Sequence, residues 1–347
     1  MGKYLGSVSS LSTIGSIFGT FFAGFFLIPI FGTRQIVLGI TILLIILSVL
    51  LYRNKNKKYF ALILIITLFA ILFNFIGFQI FKTENPYLIE DVDSEYSRIW
   101  INEIKGEDLA YKVLQVDTAI ESYIESNTEQ MGSKYLYYYD LSDYYLKDFQ
   151  NTLMIGGAAY TYPTHYLNKY DDKKIDVSEI DKKMTELAVK HFNLDIQNER
   201  LGIYHQDGRS FLNTTKNKYD VILIDAFKGF NAPFELTTYE ALTKCRNILN
   251  DNGIVITNII SSLEGEKSDF IKYEYTTYKK IFDDVKIFKV GDEENTKEHN
   301  LILMGIKGNT NINEGKYEEY KNLLDTEVKD YESDKPIVTD DYCPIGN

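Results

Sequence analysis

The feature that most constrains the fold is an alternation of strand-like and helix-like segments that begins after Asn151. Short apolar runs such as "TLMIGG" and "YDVILIDAF" alternate with segments such as "DKKMTELAVKHF", in which apolar residues recur at helical spacing. This alternation predicts a mostly parallel, seven-stranded sheet with helices on both faces. The last two strand patterns have no clear helix between them, so we expect one antiparallel strand at the edge of the sheet.

Glycines and acids follow the first four predicted strands. In chain order they are Gly156, Gly157, Glu179, Asp207, Gly208 and Asp225. Open α/β sheets bind ligands beyond the carboxyl ends of their strands, so these residues should line one site. A glycine turn lets a ligand approach the backbone. Glu179, about 20 residues later, can accept both hydrogen bonds of a ribose diol, and Asp207 could accept one from an adenine amino group. The pattern therefore favours a nucleoside site.

The glycine turn does not match a pyrophosphate-binding loop. A dinucleotide site uses G-x-G-x-x-G ahead of a helix N-terminus, whereas this chain reads Gly-Gly-Ala-Ala-Tyr-Thr from Gly156. Tyr160 and Pro163 crowd the turn. A nucleoside without phosphates, such as an S-adenosyl sulfonium compound, is the better match.

The N-terminal part of the chain predicts membrane helices. Three stretches lack charged residues, namely Tyr4–Thr33, Gln35–Tyr52 and Tyr59–Phe81. A helix needs about 20 apolar residues to span a bilayer. We therefore expect an integral membrane protein with transmembrane helices near residues 9–31, 35–52 and 59–81, within a membrane region of residues 1–82.

The charge of the chain is divided by position. Residues 1–82 carry seven Lys or Arg and no acid, whereas the remainder carries 30 basic and 49 acidic residues. An acidic domain argues against nucleic-acid binding, which needs a basic surface. The basic segment Arg53–Lys58 should lie in the cytosol, which with three crossings places the soluble domain outside. The cysteines and histidines show no spacing typical of a metal site.

Short alternating runs over residues 86–134 predict a β-rich cap of antiparallel strands. The tyrosine-rich run "YLYYYDLSDYYL" from Tyr135 favours a helix that packs aromatic rings. We expect the α/β domain to occupy residues 135–310, with a helix and tail over residues 311–347.

Taken in order, these segments resemble the spermidine/spermine synthase (aminopropyltransferase) family, in its membrane-fused branch. The resemblance rests on "STIGSIFGTFFAGFFLIPIFGTR", "LMIGGAAYTYP", "VSEID", "YHQDGRSFL", "YDVILIDAF", "PFELTTYEAL", "ISSLEG" and "TDDYCPI", and it covers nearly the whole chain. It implies a class I methyltransferase-like Rossmann fold with a small N-terminal β-cap.

The resemblance also implies roles for individual residues. The cosubstrate would be decarboxylated S-adenosylmethionine, or S-adenosylmethionine in a related transferase. Glu179 matches the acid that holds the ribose, Asp207 the acid at the adenine, and Asp225 the proton acceptor of the family's D-x-x-D. An acid suits that position because an amine must lose its proton before it can attack carbon.

Four departures from the family pattern fall on the amine side. Ala158 and Ala159 stand where the glycine turn commonly carries Gly-Asp, and Lys228 replaces the second acid of D-x-x-D. Tyr96-Ser97 stands for Tyr-Gln, and Glu121 takes a glutamine position. A lysine facing an ammonium at about 4 Å costs roughly 4 kcal/mol at an effective dielectric of 20. Glu121 could restore one acidic contact.

Three functions remain compatible with the sequence. The first is a membrane-anchored aminopropyltransferase that acts on a small amine or diamine and releases methylthioadenosine. The second is an S-adenosylmethionine-dependent methyltransferase, and the third is a non-catalytic membrane module that senses a nucleoside or polyamine. The resemblance implies a cytosolic domain, in conflict with the charge rule, and the cap or the membrane helices could mediate a homo-oligomer.

Overall fold

The computed structural model describes residues 2–31, 33–51, 65–69, 72, 85–106, 109–128, 130–226 and 234–344. The chain divides into two compact units, Met1–Glu103 and Ile104–Asn347.

Helices and one hairpin make up the described part of the first unit. α1 (Gly2–Phe22) continues through a π-helical turn (Ala23–Leu27) into α2 (Ile28–Ile30), and α3 (Thr33–Leu51) follows. The hairpin pairs β1 (Leu88–Asp93) with β2 (Arg98–Lys105) in antiparallel register, with Asp91 opposite Trp100. The Arg98 guanidinium donates to both carboxylate oxygens of Asp91 and closes the hairpin.

One helix among the described residues is long and apolar enough to cross a membrane. It covers Gly6–Leu27, 22 residues with a mean hydropathy of 1.5, and its large apolar side chains are exposed. The second expected span is a shorter apolar helix, Gln35–Ser48. Most of the third, residues 59–81, lies outside the described residues. The prediction of three transmembrane helices is therefore not supported, because within the described residues only the first stretch forms a helix of sufficient length.

The second unit begins with a hairpin and continues as alternating strands and helices. Its elements are β3 (Ala110–Val116), β4 (Ala119–Glu125), a 3₁₀ helix (Lys134–Leu141), α4 (Ser142–Tyr145), β5 (Asn151–Ile155), α5 (Thr161–Lys169), β6 (Lys174–Ser178), α6 (Lys182–His191), β7 (Leu201–Tyr204), α7 (Gly208–Thr214), β8 (Tyr219–Ile224), α8 (Phe234–Thr237), α9 (Tyr239–Ile248), β9 (Leu249–Ser261), a 3₁₀ turn (Glu266–Ser268), α10 (Asp269–Ile281), β10 (Asp284–Lys289), β11 (His299–Ile306), a 3₁₀ turn (Glu314–Lys316) and α11 (Tyr317–Leu324).

The main sheet has seven strands in the order β10-β11-β9-β8-β5-β6-β7. β5 pairs in parallel with both β6 and β8, as the alternation predicts. The expected antiparallel strand is β11, which pairs antiparallel with both β9 and β10. β11 is the second strand from the edge of the sheet and not the edge strand. The edge strand is β10, which pairs with the outer side of β11.

Each face of this sheet covers its own apolar core. Successive residues of a strand point to opposite faces, so Met154 and Leu223 join one core while Leu153 and Ile222 join the other. The tyrosine-rich 3₁₀ helix packs on the first core, as do α5 and α6. The second core is covered by α9 and α10. The expected helix at the tyrosine run is therefore present, although its first two turns are 3₁₀ and not α.

Candidate active site

The structure brings the predicted polar strand ends to one edge of the sheet. β8, β5, β6 and β7 are parallel neighbours in that order, so their carboxyl ends lie side by side. The residues that follow them, in spatial order, are Asp225, Gly156 with Gly157, Glu179, and Asp207 with Gly208.

Gly156 joins the ends of three strands and must be glycine. Its φ is +91°, and a Cβ at this position would lie 2.1 Å from the carbonyl oxygen of Asp225. Its amide donates to the carbonyl of Ser178 at 2.9 Å. The amide of Asp225 donates to the carbonyl of Ile155, also at 2.9 Å. The glycine therefore lets the backbones at the ends of β5 and β8 approach each other closely.

Glu179 organises the turn after β5. It is buried, and its Oε2 accepts from the amides of Gly157 (2.8 Å) and Ala158 (3.0 Å). Its Oε1 accepts from the amide of Asp181 at 2.9 Å. Burial raises the pKa of Glu179, and the three backbone donors offset part of that rise. A ribose diol at this carboxylate would have to share oxygens that already receive backbone bonds.

Tyr160 fills the end of the same turn. It has a left-handed backbone, as does Ala158, with φ of 55° and 45°. Its side chain is fully buried, and its hydroxyl pairs with Thr185 of α6 at 2.8 Å. A Cβ on Gly157 would lie 2.8 Å from the Tyr160 ring, so Gly157 is needed for this packing. Tyr160, expected from the sequence to crowd the turn, thus places its side chain in the protein core.

Asp207 caps α7. Its Oδ1 accepts from the amide of Ser210 at 2.8 Å, and the side chain is exposed at the sheet edge. Gly208 is buried, and a Cβ there would lie 2.4 Å from Cγ2 of Ile155. The described contacts therefore assign Gly208 to helix–strand packing, while Asp207 presents a carboxylate to the edge.

Asp225 is held from two sides. Its Oδ2 accepts from the Tyr135 hydroxyl at 3.0 Å, and its Oδ1 accepts from Nδ2 of Asn258 in β9 at 3.3 Å. Asn258 is oriented in turn by Nδ2 of Asn300 at 2.9 Å. Burial raises the pKa of Asp225, and the donors from Tyr135 and Asn258 act against that rise. The carboxylate is thus fixed in place and is more basic than an exposed one.

Two tyrosines of the 3₁₀ helix were not predicted as site residues. The pKa of Tyr135 and that of Tyr139 are both raised well above the usual value. Burial is the larger cause, and the negative charge of Asp225 is the second. Both hydroxyls therefore stay protonated, and that of Tyr135 donates to the carboxylate. The buried Tyr139 hydroxyl has no hydrogen-bond partner among the described atoms. The tyrosine-rich run was the signal in the sequence, but nothing in it distinguishes these two rings from their neighbours.

The three residues predicted for the amine side fall in different places. Glu121 lies in β4, and its charge contributes to the raised pKa of Tyr135, which places it within electrostatic reach of the Asp225 site. Tyr96 lies between β1 and β2 in the first unit and is 47% exposed. Lys228 falls in the segment 227–233, outside the described residues. No group of three or more His, Cys, Asp or Glu that could hold a metal occurs in the part of the chain that the structure describes.

Comparisons with known proteins point to one family. Residues 141–290 match the spermine/spermidine synthase domain. A probable polyamine aminopropyl transferase of Bifidobacterium longum is 27% identical over 218 residues, which cover 56% of this chain and 48% of that protein. The polyamine aminopropyltransferase of Vibrio vulnificus is 23% identical over 213 residues, covering 57% and 69%. This chain thus spans about half the length of the Bifidobacterium relative.

Solved structures show the same fold. A probable spermidine synthase from Corynebacterium glutamicum has a TM-score of 0.54 at 21% identity, covering 62% of this chain and 79% of that one. Spermidine synthase from Thermotoga maritima has a TM-score of 0.53 at 18% identity, covering 74% and 82%. These similarities establish the α/β Rossmann-like architecture of the second unit.

Proposed function

We propose that this chain, whose residues 141–290 match the spermine/spermidine synthase domain, is a membrane-anchored aminopropyltransferase. It would move an aminopropyl group from decarboxylated S-adenosylmethionine to an amine or diamine and release methylthioadenosine. The observation that carries the proposal is the Asp225 carboxylate, fixed by Tyr135 and Asn258 at the sheet edge beside the Gly156 turn.

The nucleoside would lie along the ends of β5, β6 and β7. Gly156 and Gly157 allow close approach to the backbone, Glu179 faces the ribose, and Asp207 accepts from the adenine amino group. Each carboxylate oxygen offers two acceptor sites, and both of those on Oε2 of Glu179 are taken by backbone amides, so a ribose hydroxyl would bind the remaining site on Oε1, which accepts from Asp181. The support is geometric: these strand ends are adjacent and in the order that an extended nucleoside requires.

Asp225 would take up the proton of the attacking amine. An alkyl ammonium of the lysine type loses its proton only at a pH of about 10.4 in water, so it needs a base next to it. Asp225 binds the ammonium, accepts one proton and passes it to solvent. The nitrogen lone pair then forms the new C–N bond while the C–S bond breaks, and its electron pair neutralises the sulfonium. Tyr135 holds the carboxylate in line, and Glu121 adds negative charge nearby.

The helix Gly6–Leu27 would anchor the enzyme in a membrane. Its length and hydropathy suit one crossing, and its apolar side chains are exposed. If this helix alone crosses, the basic segment Arg53–Lys58 and the Rossmann-like unit lie on the same side. The positive-inside rule and a cytosolic active site then agree, which removes the conflict raised by three crossings.

A sensing function is the second candidate, and the glycine turn favours it. Ala159 is fully buried where the family commonly carries an acid, so the turn offers no carboxylate to the aminopropyl ammonium. Such a chain would bind the nucleoside without turnover.

The test is turnover by the full chain in detergent. Isotope-labelled decarboxylated S-adenosylmethionine is incubated with putrescine, cadaverine or spermidine, and methylthioadenosine and the aminopropylated amine are measured by mass spectrometry. We expect equal amounts of both products with at least one amine. Binding of the nucleoside without product from any of these amines would replace the enzymatic proposal with the sensing one.

A further inference from the structure

The strand order of the sheet brings a residue of β11 to the edge that carries the proposed base. Ile224, the last residue of β8, lies beside Thr257 of the parallel strand β9, so Asp225 and Asn258 follow side by side. β11 runs antiparallel to β9 and therefore begins at the edge where β8 and β9 end. Asn300, the second residue of β11, thus lies at the same edge as Asp225.

Asn258 and Asn300 lie on one face of the sheet as diagonal neighbours. Asn258 is opposite Ile302 and Asn300 is opposite Ile260, so the two asparagines are offset by two residues on adjacent strands. Ile302 belongs to the first core, on which the tyrosine-rich 3₁₀ helix packs. Asn258 is 3% exposed. Its amide has little access to water and therefore depends on partners within the protein.

Hydrogen bonds connect Asn300, Asn258 and Asp225 in one direction. Oδ1 of Asn258 accepts from Nδ2 of Asn300 at 2.9 Å, and Nδ2 of Asn258 donates to Oδ1 of Asp225 at 3.3 Å. The nitrogen of a primary amide only donates and its oxygen only accepts. A turned Asn258 amide would place its oxygen against the carboxylate and its nitrogen against the nitrogen of Asn300. Asn300 therefore selects the orientation in which Asn258 is a donor to Asp225.

The orientation of the Asn258 amide affects the protonation of Asp225. Its donor favours the ionised carboxylate and so lowers the pKa that burial raises. The titratable groups near this carboxylate among the described residues are Tyr135 and Tyr139 of the 3₁₀ helix and Glu121 of β4. The two tyrosines stay protonated, because their own pKa values are raised. Lys228 lies outside the described residues, and its charge is the same in every variant that is compared. A turned amide should therefore appear as a raised pKa of Asp225.

We propose that Asn300 is a positioning residue of the active site, which acts through Asn258 to hold the Asp225 carboxylate in place and in its ionised form. The inference rests on the proposed role of Asp225 as the base. Only an ionised carboxylate can bind the ammonium of the acceptor and take up its proton. Asn300 would thus support the transfer without touching the substrate.

The first test is the pH–rate profile of methylthioadenosine release by the full chain in detergent. Asn300→Asp keeps the side-chain shape but offers only acceptors, so the Asn258 amide should turn, and a second negative charge is added. Asn300→Leu removes the donor alone. Both changes raise the pKa of Asp225, so the acid limb should move to higher pH, further for Asn300→Asp. On that limb the rate of Asn300→Asp should fall by at least about tenfold. An unmoved acid limb in both variants would overturn the proposal.

A double-variant cycle separates a positioning role from a general structural one. Asn258→Leu removes the donor to Asp225 and should move the acid limb at least as far as Asn300→Leu does. Because Asn300 acts through Asn258, adding Asn300→Leu to Asn258→Leu should move the limb no further. Additive shifts would overturn the proposal. Asn250→Asp is the matched control, since Asn250 donates to Asp220 at 2.7 Å at the opposite end of β8 and β9. Its acid limb should stay in place.

A measurement without turnover keeps this inference separate from the proposed function. Carbon-detected NMR of the chain with carbon-13-labelled aspartate follows the titration of Asp225, whose signal is the one absent from Asp225→Asn. A higher pKa in Asn300→Asp than in the unmodified chain would support the role of Asn300 even without turnover of any amine. Absent turnover in the unmodified chain counts against the proposed function alone. An unchanged pKa of Asp225 in both Asn300 variants would overturn the inference and leave the proposed function standing.

Discussion

Within the described residues, Asp225 accepts hydrogen bonds from side chains far apart in the sequence, Tyr135 before the sheet and Asn258 in β9. The two donors fix the direction of the carboxylate and lower its pKa against the rise that burial causes. Removal of either donor should therefore change both the geometry and the protonation of the proposed base.

We expect Tyr135→Phe to lower the rate of methylthioadenosine release by about tenfold, the usual cost of a hydrogen bond to a charged group. The hydroxyl lowers the pKa of Asp225, so its loss raises that pKa. An ionised base is needed, and the acid limb of the pH–rate profile should move to higher pH. Tyr138→Phe is the control, since its hydroxyl bonds the Lys289 carbonyl. An unmoved acid limb in Tyr135→Phe would contradict this role.

A second prediction at this scale concerns Gly156. Gly156→Ala combines a strained φ with a Cβ placed 2.1 Å from the Asp225 carbonyl oxygen. Gly265→Ala has a similar φ of +82° but open space around the new Cβ. Strain alone costs about 1–3 kcal/mol. We therefore expect Gly265→Ala to lower the free energy of unfolding by that amount and Gly156→Ala to lower it further. Equal losses in urea titrations would show that the close approach of β5 and β8 is not tight.

At the scale of the elements, the strand ends could be predicted from the sequence and much of their surroundings could not. Apolar runs that stop at Gly156, Glu179 and Asp225 predict where the strands end, because periodicity and residue type are local signals. Strand order depends on tertiary contacts. The antiparallel strand was therefore expected at the edge of the sheet, whereas β11 lies one position inside it. The bond from Tyr135 to Asp225 spans 90 residues and carries no local signal. The backbone bonds to Glu179 likewise depend on how the turn folds.

Helix α10 contains a buried acid that stability measurements can detect. Glu274 is 1% exposed, and its Oε1 has no hydrogen-bond partner among the described atoms. Burial raises its pKa well above the usual value. The unfolded chain therefore releases this proton at lower pH than the folded chain does. The folded state loses stability as pH rises above the unfolded pKa, by up to about 1.4 kcal/mol per pH unit until the folded pKa is reached.

We expect the free energy of unfolding of Glu274→Gln, taken relative to that of the unmodified chain, to be higher at pH 8 than at pH 5. The reason is that glutamine does not titrate. The free energy of unfolding, measured in urea at both pH values, gives the comparison. Glu318→Gln in α11, at an exposed position, serves as the control and should show little pH-dependent difference. A pH-independent effect of Glu274→Gln would mean that Glu274 is ionised or solvated in the folded chain.

At the scale of the whole molecule, a membrane helix would anchor the proposed transferase domain. The proposed anchor is the helix Gly6–Leu27, in which Ile14 is 64% exposed and Phe18 is 70% exposed. An arginine at the centre of a membrane helix costs about 2.5–3.5 kcal/mol on the insertion scale. The double variant Ile14→Arg with Phe18→Arg should therefore leave the membrane pellet in an alkaline carbonate wash, while the unmodified chain stays in it. Release of the unmodified chain would rule out the anchor.

The role of Asp225 as the base of an aminopropyl transfer can be measured by single-turnover chemistry in the full chain. The chain, in excess over decarboxylated S-adenosylmethionine, is mixed with its amine, and methylthioadenosine is followed by rapid quench. We predict that Asp225→Asn slows this step by about a hundredfold or more while its affinity for methylthioadenosine is kept. Asp251→Asn, whose side chain is 99% exposed, should react as the unmodified chain does. An undiminished rate in Asp225→Asn would contradict the account.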